Sequence, residues 1–190
     1  MQQKNFQPVH QVYDGLFNSY SGHIINLHHP EKSTIEILDI AEALSRICRF
    51  GGHCRAFYSV AQHSVFVAAL CPVHLKKAAL LHDAAEAYLG DVIKPLKVIL
   101  GDTYGKLEEK FETEIFLRFG ISHQDAQAVK EFDRMALEIE SEALQKGRYE
   151  LLTHWMKQYN LIVDNRFTWS PAIGAKMFLD WHKKLFYNQE

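Results

Sequence analysis

The sequence predicts an all-α single domain, a helical bundle with a small N-terminal β-hairpin. Three observations carry that expectation. Helical hydrophobic periodicity begins at Asp39 and continues almost to the C-terminus. Serine, glycine and proline fall where such helices would start and stop. The 190 residues, 47% apolar and 23% charged, suffice for one sizeable core and are too few for two full domains. No repeat, low-complexity tract or linker interrupts them.

The first 38 residues lack a helical period, and the apolar-rich runs 21–27 and 34–38 around His28-His29-Pro30-Glu31-Lys32-Ser33 read as the arms of the hairpin. Ile40, Ala43, Leu44 and Ile47 then follow the i, i+3, i+4, i+7 rule, giving a helix that ends near Arg49-Phe50-Gly51-Gly52. Ser59 with Gln62 three residues on is a capping box for a helix whose apolar stripe, Val60, Val67 and Leu70, includes His63 and stops before Pro72. The next helix runs from about 73 to 89, with Gly90 as its stop and 90–95 as a connection. A helix over about 104–119 ends at Gly120, and Ser122 caps a long one to about Lys146. Ser170-Pro171 reads as N-cap and N1 of a last helix carrying Met177, Phe178, Trp181 and Leu185. The organisation expected is an N-terminal extension (1–38), a core (39–146) and C-terminal helices (147–190) packed on that same core.

With 21 Lys+Arg against 23 Asp+Glu, a net charge of −2, there is no basic excess to bind a phosphate backbone, so nucleic acid is not an expected partner. Cys48, Cys54 and Cys71 form no C-x-x-C pair, which fits a reducing compartment. No signal-type apolar region and no stretch of about 18 apolar residues is present, so a cytoplasmic protein without membrane contact is expected. The 11 histidines stand out.

Leu80-Leu81-His82-Asp83-Ala84-Ala85-Glu86-Ala87-Tyr88 concentrates polar groups in an apolar helix. On a helix Glu86 falls one turn beyond His82 and Asp83, and uncompensated charge in such a setting is costly. A metal would remove that cost, since imidazole with carboxylate suits zinc, manganese, iron or cobalt. Taken singly, His63 reads as a hydrogen-bonded core histidine and Asp133 as a solvated helix residue.

Taken together, His63, His82-Asp83 and Asp133 resemble the H…HD…D signature of the HD-domain metal-dependent phosphohydrolases. Cys48-Arg49-Phe50-Gly51-Gly52-His53, Phe57-Tyr58-Ser59-Val60-Ala61-Gln62-His63-Ser64, and His82-Asp83-Ala84-Ala85-Glu86 through Gly90-Asp91 to Pro95-Leu96-Lys97 are similar to one branch of it. That branch includes bacterial 5′-deoxynucleotidases, prophage-encoded HD proteins and viral dATP triphosphohydrolases, and the likeness covers about 21–140. The resemblance implies an HD-type bundle in which His63, His82, Asp83 and Asp133 hold one divalent ion (Mn²⁺, Co²⁺, Zn²⁺, Fe²⁺ or Mg²⁺). It makes Glu86 and Asp91 the catalytic acids, with either one as acid or base. Arg49 matches the arginine that meets phosphate or sugar and Lys97 the lysine of P-x-K. Arg55 and Lys94 are further cations flanking the site, and His53, beside Gly51-Gly52, is a candidate pocket residue. Glu140, seven residues after Asp133, reads either as an ordinary ion-pair residue or as one that supports the ligands or touches the sugar. Tyr88 and Phe57 either line the pocket or fill core, and His74, His123, His154 and His182 read as surface or core.

The activity expected from this likeness is a 5′-nucleotidase releasing phosphate from (deoxy)nucleoside 5′-monophosphates through metal-activated water. The alternatives are a (d)NTP triphosphohydrolase or nucleotide pyrophosphohydrolase, and a non-catalytic nucleotide-binding HD module. The implied partners are a nucleotide substrate and further copies of the chain, as a dimer or larger homo-oligomer.

Overall fold

Residues 15–187 are described by a computed structural model of the chain, so residues 1–14 of the expected N-terminal extension lie outside the described part. The hairpin is present, with different arms from those expected. β1 (Leu16–Asn18) pairs antiparallel with β2 (Ile24–Asn26), Phe17 opposite Ile25. The 19–23 turn, where Gly22 takes φ 84°, brings the nearer upstream run alongside Ile24-Ile25. The 34–38 run instead leads into α1 (Ile37–Arg46), which buries Ile40, Ala41 and Leu44. Ser21 N donates to Asp39 Oδ1 at 2.6 Å and ties the hairpin to that helix.

α1 ends before Ile47, earlier than its glycines suggested, and a 3₁₀ turn follows at Phe50–Gly52. Phe50, Gly51 and Gly52 are all left-handed there (φ 59°, 58° and 80°), which folds the chain back on itself. α2 (Val60–Leu70) is buried from Val60 to Ala69, so its polar side chains Gln62, His63 and Ser64 need partners inside the protein. Ser59 caps it, its hydroxyl accepting from Gln62 N at 3.2 Å. The reciprocal half of the capping box is not made. The Gln62 amide instead donates to Phe167 O (2.5 Å) and accepts from Trp169 N (3.0 Å), pinning the C-terminal segment to the central helix.

The single helix expected over 73–89 is broken. A 3₁₀ turn (Val73–Leu75) and α3 (Lys76–Leu81) are followed by tight turns and then α4 (Glu86–Leu89). Within the break Ala84 N bonds Leu81 O and Glu86 N bonds Asp83 O, three residues back instead of four. The cause is local: His82 Nδ1 lies 2.8 Å from Ala79 O, the carbonyl that Asp83 N would use in a regular helix. α5 (Lys94–Leu100) leads to α6 (Asp102–Phe119), which ends on left-handed Gly120. Ser122 then caps α7 (His123–Leu144), followed by α8 (Tyr149–Gln158) and by α9 (Pro171–Phe186), capped by Ser170.

α2 is the hub, packing against α1, α3, α7 and α9, while α9 also covers α1 and α3. The α9 approach is close at Gly174, where a Cβ would stand 3.3 Å from Ser59 Oγ and 3.4 Å from Ser45 Cβ. Among the described residues no helix is long and apolar enough to cross a membrane.

Gln62→Leu keeps the apolar volume of α2 and strips Phe167 O and Trp169 N of their partner. It is expected to destabilise the protein by about 1–3 kcal/mol for each orphaned group, read from urea unfolding. A change within about 0.5 kcal/mol would mean that this amide does not anchor the C-terminal segment.

Candidate metal centre

Three elements meet at one point. α2 supplies His63, the break after α3 supplies His82 and Asp83, and α7 supplies Asp133. One ligand atom from each of His63, His82 and Asp133 lies within 4.8 Å of the others, a group able to hold a metal ion. His63 Nε2 stands 3.1 Å from Asp133 Oδ1 and 3.4 Å from Asp83 Oδ2, and His82 Nε2 stands 3.2 Å from Asp83 Oδ2. Asp83 therefore borders both imidazoles, although the tight cluster is formed by the other three.

The chemistry of the donors fits a cation. Both rings spend Nδ1 on a neighbour, His63 on Glu140 (2.9 Å) and His82 on Ala79 O (2.8 Å). That leaves both Nε2 atoms buried and without a hydrogen-bond partner, facing the carboxylates. A buried unpaired nitrogen is costly unless something binds its lone pair, and the Nδ1 contacts select the tautomer that keeps the Nε2 lone pair available.

Without a cation, protons take its place. Burial and Arg49 oppose a charge on His63, but Glu140, Asp133 and Asp83 outweigh them and raise its pKa well above the usual imidazole value. For His82, burial is again opposed and overcome, chiefly by Asp83, and its pKa is pushed up to about 10. Burial alone would raise Asp83 and Asp133, yet the two imidazoles hold both below the usual carboxylate range. A divalent ion would supply the same two positive charges at one point.

Glu140, left open between two readings by the sequence, is wholly buried on α7. It joins His63 Nδ1 to Arg49, whose Nε donates to Glu140 Oε2 at 3.0 Å, and so acts as support for the cluster. Burial opposes its charge, but His63 and Arg49 lower its pKa. Arg49, 8% exposed, also reaches Asp83 at 3.7 Å, so it belongs to the electrostatic frame of the centre.

Glu86 and Asp91 lie beside this cluster. Burial first, then the charges of Asp83 and Asp91, push Glu86 up to about 9, although Lys97 Nζ is 3.9 Å from its Oε1. Burial also raises Asp91, with Arg49 opposing and Asp83 reinforcing. Lys97 is held by Glu108 at 2.6 Å. Arg55 is not gathered to the centre: its Nε donates to Gln145 O and its N to Leu144 O, where it stabilises the end of α7. Lys94 and His53 are solvent-exposed and have no polar side-chain contact among the described residues. Tyr88 stacks on Phe111 in the core, and Phe57 is exposed.

A cleft of about 220 Å³ opens onto His82, Asp83 and Asp133, walled from α6 and α7 by Glu112, His123, Gln127 and Lys130. No motif in the sequence marks these four residues. His123 has no partner at ligand spacing, and only the turn at Gly120 carries the start of α7 to the cleft. A larger recess of about 650 Å³ between α1 and α9 lies elsewhere, and its charges pair off as Glu42–Arg46 and Lys176–Asp180.

No family model matches the chain. It is 41% identical over 137 residues to the Escherichia coli (strain K12) protein named Uncharacterized protein YfdR, covering 72% of this chain and 68% of that one. It is 34% identical over 137 residues to Uncharacterized protein RCAP_rcc00048 of Rhodobacter capsulatus, covering 65% and 70% respectively.

Two outcomes follow from the geometry. Glu140→Gln removes the charge that orients His63 and is expected to weaken Zn²⁺ or Co²⁺ binding by about 10–100-fold in a competition titration. Unchanged affinity would make Glu140 a packing residue. In the metal-free protein Glu86 binds its proton more tightly folded (about 9) than unfolded (4.5), so this contribution is full below 4.5 and is lost as pH rises towards 9. Glu86→Gln, which cannot ionise, should raise Tm at about pH 8 and have little effect near pH 5, at about 2–4 °C for each ~1 kcal/mol. An equal shift at both would show that burial does not govern this carboxyl.

Proposed function

This chain belongs to the family of the two relatives just described, and on the site it carries we propose that it is a metal-dependent phosphohydrolase of HD type. Its substrates on this reading are (deoxy)nucleoside 5′-monophosphates, from which it releases phosphate. The observation that carries the proposal is the pair of buried, unpartnered His63 and His82 Nε2 atoms, facing Asp133 and Asp83 beside two carboxyls of raised pKa.

His63, His82, Asp83 and Asp133 would hold the ion. When bound, it would supply a Lewis acid that lowers the pKa of water towards neutrality and polarises a phosphoryl oxygen. On this reading Glu86, which keeps its proton through burial, would give it to the leaving sugar oxygen, and the less buried Asp91 would accept one from water. Arg49 holds Glu140 through Nε and brings Nη1 within 3.7 Å of Asp83, and on this reading it would meet the phosphate from there.

The supply of cations favours a monophosphate over a triphosphate. Lys97 is paired with Glu108, Arg55 with the end of α7 and Arg49 with Glu140, which leaves Lys94 and, on the cleft wall, Lys130 to meet two more phosphates. The test is a product screen over nucleoside mono-, di- and triphosphates with Mn²⁺, Co²⁺, Zn²⁺ and Mg²⁺, resolving phosphate, pyrophosphate and triphosphate. Inorganic phosphate from monophosphates is expected. Triphosphate release, or no product with any metal, would overturn the reading. Glu86→Gln should retain metal and lower kcat by about 10²–10⁴-fold, and a near-normal kcat would remove Glu86 from the proton chemistry.

A further inference from the structure

Cys48 and Cys54 stand at the two ends of the turn that follows Arg49. Cys48 is fixed by its bridge to Ser59, the N-cap of α2, and by Arg49 N donating to Tyr58 O at 2.9 Å. The left-handed run at Phe50, Gly51 and Gly52 then reverses the chain, and Arg55 N donates to Leu144 O at 2.8 Å, which fixes the far end. As a result Cys48 Sγ and Cys54 Sγ lie 3.4 Å apart, both on partly exposed residues. A disulfide requires about 2.05 Å, so closure needs about 1.4 Å of movement between side chains that already face each other.

We propose that Cys48 and Cys54 are a reversible thiol–disulfide pair, closed by a peroxide into an intrachain bond that encloses Arg49 and the 50–53 turn. The Cys48 thiolate attacks one peroxide oxygen, the O–O bond breaks, and hydroxide leaves and is protonated to water. Cys48 is then a sulfenic acid. The Cys54 sulfur attacks the Cys48 sulfur, the S–S bond forms, the S–O bond breaks, and the oxygen departs as a second water with the Cys54 proton. Two thiols lose two electrons to one peroxide, and a dithiol returns them. The two sulfurs can exchange these roles without altering the product or the balance. Cys71, 4% exposed on the far side of α2, takes no part.

The bond would tether the root of Arg49, whose side chain holds Glu140 and through it His63. The pair does not depend on the phosphohydrolase reading, and its test needs no activity. The full chain, reduced and freed of reductant, is treated with millimolar hydrogen peroxide, alkylated and digested with trypsin under non-reducing conditions. Arg46, Arg49 and Arg55 divide the segment into peptides 47–49 and 50–55, each with one of the two cysteines. These peptides are expected as one species, lighter by two hydrogens than their sum, with Cys71 alkylated. Dithiothreitol should separate them, and Cys54→Ser should abolish the species while Cys71→Ser leaves it. Alkylation of both Cys48 and Cys54 after peroxide, linkage through Cys71 or between chains, or irreversible oxidation without the linked peptide would each overturn the proposal.

Discussion

The centre depends on one buried contact, the Glu140 carboxylate on His63 Nδ1. A wholly buried carboxylate costs several kcal/mol in lost hydration, and its partners repay that only where the geometry is good. Here Arg49 and His63 share it, and both are themselves almost wholly buried. An arrangement so costly is poorly explained by stability alone, since apolar side chains would fill the same space. What the contact adds is direction: it turns His63 so that Nε2, and not Nδ1, faces Asp133. Ala79 O does the same for His82, at the cost of a break in the helix that carries it.

Around these two rings the fold balances opposed charges in little space. Asp83 and Asp133 stay ionised because imidazoles face them, whereas Glu86, with Lys97 3.9 Å away and other carboxylates nearby, keeps its proton. Burial acts on all of them alike, and the nearest cation decides which are charged. Asp83 and Glu86, three residues apart in one segment, are thereby set to different protonation states.

Much of the fold was legible because helix ends are local. Ser59, Ser122 and Ser170 each accept from the N–H three residues on, and Gly90 and Gly120 end helices through positive φ. The His63, His82 and Asp133 cluster was legible through its resemblance, which stands for long-range proximity that periodicity cannot supply. What escaped the sequence depends on distant partners or on competition for a backbone group. Gln62 looked like half of a capping box and is bound to Phe167 and Trp169, more than 100 residues on. Arg55 has the charge of a phosphate ligand, and the carbonyls at the end of α7 claim it. The hairpin went to the nearer arm, and the pairing of Cys48 with Cys54 needed three successive left-handed residues, one of them Phe50, that no spacing rule anticipates.

Two imidazoles are turned by their Nδ1 partners towards one point that could hold a cation, and ¹⁵N NMR of the imidazole nitrogens during a Zn²⁺ titration tests this most directly. Of the 11 histidines, His63 and His82 are expected to keep a proton on Nδ1 while their Nε2 resonances move to the metal-bound position together, at one equivalent of zinc. Zinc shifts at other histidines, at Nδ1 of these two, or at neither of them would contradict it.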